Sequence, residues 1–202
     1  MRVLQSILPA YYADIKKPII FDKSRSWLSL LELAGTALPH EIKVLVPVRD
    51  ITDVLSSFEK LWRKRSASGQ MGQEHKYYFQ FQTIEGRLET WMRNDEPVGL
   101  AYNRLRDAVI RGHRAKLHFV EFKQLTEHPN EAMKEIYDFL EEPQFTHDFQ
   151  QVLQQTTEND FVHGVPDLHT IRQKVAPVPV DWPMILGKAG EPYQNLEFWR
   201  KL

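Results

Sequence analysis

Residues 42–58 decide the fold class, and they read Ile-Lys-Val-Leu-Val-Pro-Val-Arg-Asp-Ile-Thr-Asp-Val-Leu-Ser-Ser-Phe. The first part, 42–48, is a nearly continuous aliphatic run, which is typical of a strand buried on both faces of a parallel sheet. The polar pair Arg49-Asp50 ends this run. From Ile51 onward, apolar residues recur at the i, i+3, i+4, i+7 spacing of a helix with one buried face. The stretch therefore predicts a strand, a polar turn and a helix.

Further strands and helices are predicted on both sides of this stretch. Short apolar runs predict strands at 18–21 and 116–122. Helical spacing predicts a first helix that ends before Pro18 and later ones at 27–38, 74–94, 98–111 and 129–140. Ser26 is the expected cap of helix 27–38, and Gly112 is expected to end helix 98–111. Strands that alternate with helices favour parallel pairing, so we expect an α/β fold: a three-layer parallel sheet with helices on both faces.

Length and composition favour one domain over residues 1–202. A chain of 202 residues with 42% hydrophobic and 26% charged residues is an ordinary globular chain. The core is expected at 18–143. The proline-rich segment 144–202 shows little periodicity and is expected to wrap around that core.

Several classes of protein are disfavoured. The net charge of −1 argues against nucleic acid as a partner. The longest apolar run, 42–48, is far shorter than the roughly 18 residues of a membrane span. The first residues lack a signal-peptide pattern and there are no cysteines, which fits a reducing cytoplasmic location. The histidines, including His113 and His118 or His163 and His169, lack metal-ligand spacing, so no metal site is predicted.

Arg49 and Ser57 are the first candidate binding residues. Arg49 stands where the strand ends and the helix begins, and the free N–H groups of a helix start favour an anion there. Ser57 follows eight residues later on the polar face of the helix. An arginine and a hydroxyl placed in this way can hold one phosphate. The alternative, that Arg49 is a surface ion-pair partner, stays open.

The sequences of three segments resemble motifs of the sulfotransferase family. Residues 48–58 resemble its 3′-phosphate motif, an Arg-Asp-Pro-Arg-Asp-Val segment followed by a serine before an aromatic residue. Residues 18–27 are similar to its second strand and catalytic-side loop. Residues 119–129 with 136–140 are similar to its Tyr-Glu-Asp-Leu segment, proline, and helix ending in Phe-Leu. The three motifs occur in the family's order and cover residues 18–143.

This resemblance implies a P-loop-NTPase-like fold and a specific chemistry. The donor would be 3′-phosphoadenosine 5′-phosphosulfate (PAPS), the product 3′-phosphoadenosine 5′-phosphate (PAP), and the acceptor a hydroxyl or an amine. Arg49 and Ser57 match the pair that holds the 3′-phosphate.

Three further residues are implied less directly. Lys23 and Arg25 lie in the catalytic-side loop and are candidates to stabilise charge on the bridging oxygen. Lys188, in Gly-Lys-Ala-Gly, resembles the family's late Arg-Lys-Gly loop. The alternatives are a plain polar loop with Ser26 as a helix cap, and a plain surface turn around Lys188.

Two departures from the family pattern limit the expected activity. The Lys/Arg-Ser-Gly-Thr/Ser-Thr loop that cradles the 5′-phosphosulfate does not occur in these 202 residues, so we expect an N-terminally truncated or split member. Phe122 and Lys123 stand where the family has Tyr-Glu. The alternative function is therefore a non-catalytic nucleotide-binding or interaction protein with the same fold.

The absent loop also bears on assembly. In the family its strand lies between the strand that ends at Arg49 and the strand near Phe119. The sheet must then close by pairing 44–48 directly with 117–121, or by borrowing a strand, because unpaired buried backbone groups are costly. We expect borrowing, which would give a homodimer or a complex with an N-terminal partner chain.

Overall fold

The computed structural model of the chain describes residues 2–38, 40–67, 69, 76–155 and 170–202. Within these residues the strands are β1 (Val44–Val48) and β2 (Leu117–Glu121). The α-helices are α1 (Arg2–Tyr11), α2 (Leu31–Ala37), α3 (Ile51–Ala67), α4 (Ile84–Trp91), α5 (Pro97–Ile110), α6 (Phe122–Glu127), α7 (Pro129–Leu140) and α8 (Trp182–Leu186). The 3₁₀ stretches are Trp27–Ser29, Gln80–Gln82, Arg114–Lys116, Gly187–Tyr193 and Phe198–Lys201.

The two strands pair with each other in parallel. Val44 lies opposite Leu117, and Val48 lies opposite Glu121. Both central strand predictions are confirmed, with the ends one or two residues shorter than expected. The pairing is the direct closure, so no gap is left between these strands for a borrowed one. The oligomeric state of the protein stays a prediction.

The strand predicted at 18–21 is wrong. These residues have no strand conformation, and Ile19, Ile20 and Phe21 are 42%, 41% and 69% exposed. Four apolar residues are too few to specify a buried strand without a sheet edge that bonds their N–H and C=O groups. Within the described residues the sheet therefore has two strands, which with the surrounding helices makes a small α/β arrangement.

Helix α3 is confirmed, and it is buried more widely than its apolar stripe predicts. Ile51 and Leu55 belong to the hydrophobic core, as expected. Thr52, Ser56 and Glu59 form a second buried row at helical spacing. Buried polar side chains need partners: Ser56 donates its hydroxyl to the Thr52 carbonyl at 2.7 Å, and Glu59 pairs with arginines.

Glu59 has the greatest need of partners in that row, because its side chain is a fully buried carboxylate. Arg87 of α4 donates from Nε to Oε2 and from Nη2 to Oε1, both at 2.8 Å. Arg63 donates from Nε to Oε1 at 2.7 Å. The guanidinium of Arg87 also lies 3.7 Å from the ring centre of Trp62. This network fixes α3 against α4.

The helices around α3 differ in how well the sequence predicts them. The helix predicted at 27–38 is a 3₁₀ turn followed by α2, and Ser26 makes no capping hydrogen bond with its side chain. Of the helix predicted at 74–94, α4 forms only the later part, and residues 74–75 lie outside the described residues. Thr83 caps α4 by accepting the N–H of Gly86 at 3.0 Å. The helical spacing of residues 74–94 does not predict this break before Ile84.

The predictions for α5 and α7 are confirmed. After α5, Gly112 has φ +85°, a conformation that glycine adopts without strain. The N–H of His113 bonds the carbonyl of Ala108 at 3.1 Å, and that of Gly112 bonds Val109 at 3.0 Å. This is the Schellman pattern of a helix end. It directs the chain back toward β2.

One hydrophobic cluster joins the sheet to the helices. Its members include Val46 and Val48 of β1, Leu117 of β2, and Leu55 of α3. Trp199, near the C-terminal end, is also part of it. The last residues of the chain are therefore packed against the elements that carry Arg49.

Candidate functional site

The carboxyl ends of β1 and β2 meet at one edge of the sheet, because the strands are parallel and in register. In parallel sheets this edge is where ligands bind. Arg49 follows β1, and Phe122 follows β2. The guanidinium carbon of Arg49 lies 4.5 Å from the centre of the Phe122 ring, which is a cation–π contact. The phenyl ring therefore supports the arginine from one side.

Asp53 is the acidic partner of Arg49. Arg49 Nε donates to Asp53 Oδ2 at 3.3 Å, and the two side chains are 21% and 23% exposed. Burial raises the pKa of Asp53, the charge of Arg49 opposes that rise, and the carboxylates of Asp50 and Glu197 add to it. The ionised form of Asp53 is therefore disfavoured overall, in spite of its ion pair with Arg49.

A second nitrogen of Arg49 has hydrogen-bonding capacity to spare. Nη2 is buried and has no hydrogen-bond partner among the residues that the structure describes. A buried N–H group without an acceptor is costly, and a charged one more so. An anionic oxygen beside Arg49 would satisfy it.

Ser57 lies on the same side of α3 as Asp53. Its hydroxyl donates to the Asp53 carbonyl oxygen at 3.1 Å, and the residue is exposed. Asp53 thus contacts both predicted phosphate residues, through its side chain to Arg49 and its backbone to Ser57. Arg49, just before α3, and Ser57, on α3, are therefore linked through Asp53.

The C-terminal residues 197–200, which we name the C-terminal strap, lie on the same edge. The N–H of Ile51 at the start of α3 donates to Glu197 Oε1 at 2.8 Å, and Glu197 is 8% exposed. Arg200 donates from Nε and Nη2 to the two carboxylate oxygens of Glu121, at 2.9 and 2.8 Å. Trp199 Nε1 donates to Glu121 at 3.0 Å.

Arg200 also joins the two strand ends. Its Nη2 lies 2.6 Å from Oδ1 of Asp50, which follows Arg49. Its hydrogen bonds to Glu121 and its pairing with Asp50 raise the pKa of Arg200 above its usual range. Ion pairs therefore hold the strap at the carboxyl ends of both strands.

The charged groups that these contacts join carry a net negative charge. They are two arginines and four carboxylates: Arg49, Arg200, Asp50, Asp53, Glu121 and Glu197. With all of them ionised the formal charge is −2. An anion that binds Arg49 must therefore replace a carboxylate or meet its repulsion.

Lys23 and Arg25 lie in an exposed loop. The loop is held by Asp22, which accepts hydrogen bonds from Tyr12 and from Trp27 Nε1, the latter at 2.8 Å. Arg104 Nη1 of α5 donates to the backbone carbonyl of Arg25 at 3.2 Å. These contacts hold the loop backbone and leave both basic side chains at the surface.

Lys188 is not brought to Arg49 or Ser57 by any contact of the described residues. It lines a cavity of about 200 Å³ together with Glu85 and Glu89 of α4 and Tyr193. The two glutamates are the other charged residues of that lining. Lys188 therefore shares this cavity with acidic side chains.

Two other features concern the described residues only. No group of three or more histidine, aspartate or glutamate side chains there could hold a metal ion, and His163 and His169 lie outside them. None of the helices there is both long and apolar enough to cross a membrane.

Sequence reasoning missed the strap. Glu197 contacts Ile51 across 146 residues, and no local spacing connects them. The only signal was composition: Glu-Phe-Trp-Arg at 197–200 combines two large aromatic residues with two opposite charges near a chain end. Such a group is typical of a segment that packs onto the fold.

Comparison with known families identifies the family of the chain. The model of the sulfotransferase domain matches residues 12–162, which is more than half of the chain. The chain therefore belongs to the sulfotransferase domain family. Searches of curated proteins and of solved structures each returned no significant match.

Proposed function

We propose that this protein transfers a sulfuryl group from PAPS to a hydroxyl or amine acceptor. Membership of the sulfotransferase family supports the reaction class. The observation that carries the donor assignment is Arg49, a partly buried guanidinium at the carboxyl edge with one buried nitrogen that lacks a partner among the described residues. That the small α/β arrangement belongs to a three-layer, P-loop-NTPase-like fold is also part of the proposal.

The phosphate side of the site is assigned to α3. Arg49 would hold the 3′-phosphate with its free Nη2, and Ser57 would turn its hydroxyl from the Asp53 carbonyl to the phosphate. Phe122 keeps the guanidinium in place. We leave Lys188 out of the proposed site because it lies with Glu85 and Glu89.

The transfer side is assigned to the loop that holds Lys23 and Arg25. When bound, the donor supplies the sulfuryl group. Negative charge develops on the bridging oxygen during transfer, and a nearby cation stabilises it. Lys23 and Arg25 are the proposed cations, and Arg104 restrains their loop through the Arg25 carbonyl.

A second candidate function is a non-catalytic nucleotide-binding or interaction protein. It is supported by the exposure of Lys23 and Arg25 and by Phe122, which offers no hydroxyl to a nucleotide. Transfer of sulfate from PAPS to a hydroxyl acceptor separates the two candidates.

Association with a second chain also stays a proposal. The two-stranded sheet of the described residues leaves an outer edge on each strand, and such edges pair readily with another strand. A homodimer or a complex with an N-terminal partner chain would cover them. Light scattering on the purified protein distinguishes a monomer from a dimer.

Calorimetric titration with adenosine 3′,5′-bisphosphate tests the phosphate assignment. Losing a charge-assisted bond costs about 1.5 to 3 kcal/mol, so we expect Arg49→Ala to weaken binding roughly 10- to 150-fold. Ser57→Ala removes a neutral bond of about 1 kcal/mol and should weaken binding roughly fivefold. The matched control is Arg106→Ala, an exposed arginine on α5.

Adenosine 5′-phosphate is the reference ligand, because it lacks the 3′-phosphate. Equal affinity for the two nucleotides would overturn the assignment. So would an Arg49→Ala variant that binds the bisphosphate as well as the unmodified protein does.

A further inference from the structure

The C-terminal strap lies at the edge at which the proposed nucleotide binds. Three of its residues hold it there: Glu197 contacts the first N–H of α3, Trp199 contacts Glu121, and Arg200 contacts Glu121 and Asp50. All of these partners lie at or next to the carboxyl ends of β1 and β2. The strap therefore bridges the ends of both strands.

Glu197 occupies a position that favours an anion. A helix start presents free N–H groups and a partial positive charge. The carboxylate of Glu197 accepts the N–H of Ile51 at 2.8 Å in a buried position. The chain thus places its own negative charge at the start of the helix that carries Ser57.

The charge of Glu197 also reaches the Arg49–Asp53 pair. It is one of the carboxylates that raise the pKa of Asp53, which hydrogen-bonds Arg49. A phosphate beside Arg49 would meet the same field. Glu197 therefore repels the group that Arg49 is proposed to bind.

The strap has its own attachment to the fold, through α5. Tyr102 donates its hydroxyl to the Leu196 carbonyl at 3.0 Å, and its ring packs against Phe198 at a centroid distance of 5.5 Å. Just before the strap, Asn195 has φ +58°, the left-handed conformation that asparagine tolerates. This turn brings the strap back to the edge of the sheet.

We propose that the C-terminal strap is an autoinhibitory contact that competes with an anionic nucleotide for the carboxyl edge. This inference rests on the proposed function. In the closed arrangement, Glu197 and the strap's ion pairs hold the edge negative. Displacement of Glu197 from the Ile51 N–H and of Arg200 from Asp50 and Glu121 removes the charge of Glu197 from the edge and leaves Arg49 to the phosphate, while Trp199 stays in the hydrophobic core.

The first test is Glu197→Gln, which removes the charge but keeps an oxygen that can accept the Ile51 N–H. Titration with adenosine 3′,5′-bisphosphate should show affinity increased by about 5- to 150-fold, the usual range of coupling between sites. The control is Glu191→Gln, an exposed glutamate near the strap that removes the same charge. It should leave the affinity unchanged.

The second test is Arg200→Gln, for which two explanations predict opposite signs. If Arg200 only adds positive charge to the edge, its loss weakens binding of the bisphosphate. If it anchors an inhibitory strap, its loss strengthens binding and speeds hydrogen exchange in residues 194–202. We expect the second result, and no change in Lys201→Gln, which alters an exposed neighbour of equal charge.

The possible outcomes separate the two proposals. One outcome is that the unmodified protein and Glu197→Gln bind the bisphosphate equally, with binding that depends on the 3′-phosphate. This result would overturn the autoinhibitory role of the strap and leave the proposed function standing. Weaker binding in Arg200→Gln would also overturn the autoinhibitory role of the strap. Absence of binding in the unmodified protein and in both variants overturns the proposed function, and the strap with it. Tighter binding in both variants supports both.

Discussion

Residues 44–57 and residues 18–26 both match family motifs in sequence, but the structure builds them differently. The first segment is a strand, a turn and a helix, with Val48, Ile51 and Leu55 in the core. The second is an exposed loop without strand conformation. A seven-residue segment with five aliphatic residues, followed by a helical stripe, specifies its own structure, whereas a run of four apolar residues depends on what packs beside it.

The same difference divides the proposed site. On the phosphate side, Arg49 is placed by β1, Phe122 by β2 and Ser57 by α3. On the transfer side, Lys23 and Arg25 are placed by loop backbone alone, and Asp22 and Arg104 restrain that backbone. Substitutions should therefore have large effects on the first side and small effects on the second.

The largest effect is expected at Arg87, which holds α3 through Glu59. Arg87→Met leaves the buried carboxylate of Glu59 without its main partner, and breaking a buried ion pair in this way costs about 3 to 5 kcal/mol. Urea denaturation should show that decrease in the free energy of unfolding. Arg93→Met is the control, because the Arg93–Asp95 pair is more than half exposed. A decrease no larger than that of the control would contradict the role assigned to Glu59.

The pH dependence of this stabilisation has a definite sign. Burial alone would raise the pKa of Glu59, but hydrogen bonds from Arg87 and Arg63 lower it. A carboxyl group with a lowered pKa in the folded state stabilises above its unfolded pKa and loses that contribution as the pH falls. Arg87→Met should therefore lose less stability on acidification than the unmodified protein does.

How far the sequence predicts this molecule depends on the range of the interaction. Local patterns predict α3, α5 and α7, because periodicity and end signals lie within the segment itself. They also predict that Arg49 lies between strand and helix and that Ser57 lies on the exposed side of the helix, since both positions follow from residues 42–58. Contacts such as Glu59 with Arg87, or Glu197 with Ile51, join distant residues and leave no local pattern. The negative charge of the edge was therefore not predictable.

A smaller effect is expected at Asp53, the carboxylate that competes for Arg49. Asp53→Asn removes its charge and should raise the affinity for adenosine 3′,5′-bisphosphate about tenfold, which corresponds to roughly 1.4 kcal/mol. Asp107→Asn is the control, because Asp107 pairs with Arg111 at an exposed site. Weaker binding in Asp53→Asn would show that Asp53 positions Arg49 for the ligand.

In the unmodified protein, protonation of Asp53 at low pH should also tighten binding of the bisphosphate. Because the pKa of Asp53 is raised, protonation begins at a higher pH than for an ordinary aspartate, and it frees Arg49. Affinity for the bisphosphate should rise, relative to Asp53→Asn, as the pH falls toward that pKa. The phosphate also titrates, with a second pKa of about 6, but it does so equally for both proteins. Parallel pH profiles would contradict this role of Asp53.

The smallest effect is expected at Lys23 and Arg25. Their side chains are exposed, so Lys23→Ala and Arg25→Ala should change the free energy of unfolding by less than about 0.5 kcal/mol. Affinity for adenosine 3′,5′-bisphosphate should fall by no more than about fivefold, because the bridging oxygen remains in this product as a 5′-phosphate oxygen and an exposed ion pair contributes about 1 kcal/mol or less. Their larger effect should appear as slower transfer from PAPS, since the charge on that oxygen develops during the reaction. If either variant instead weakens bisphosphate binding tenfold, the loop closes over the nucleotide, and the division between a structured phosphate side and an exposed transfer side is wrong.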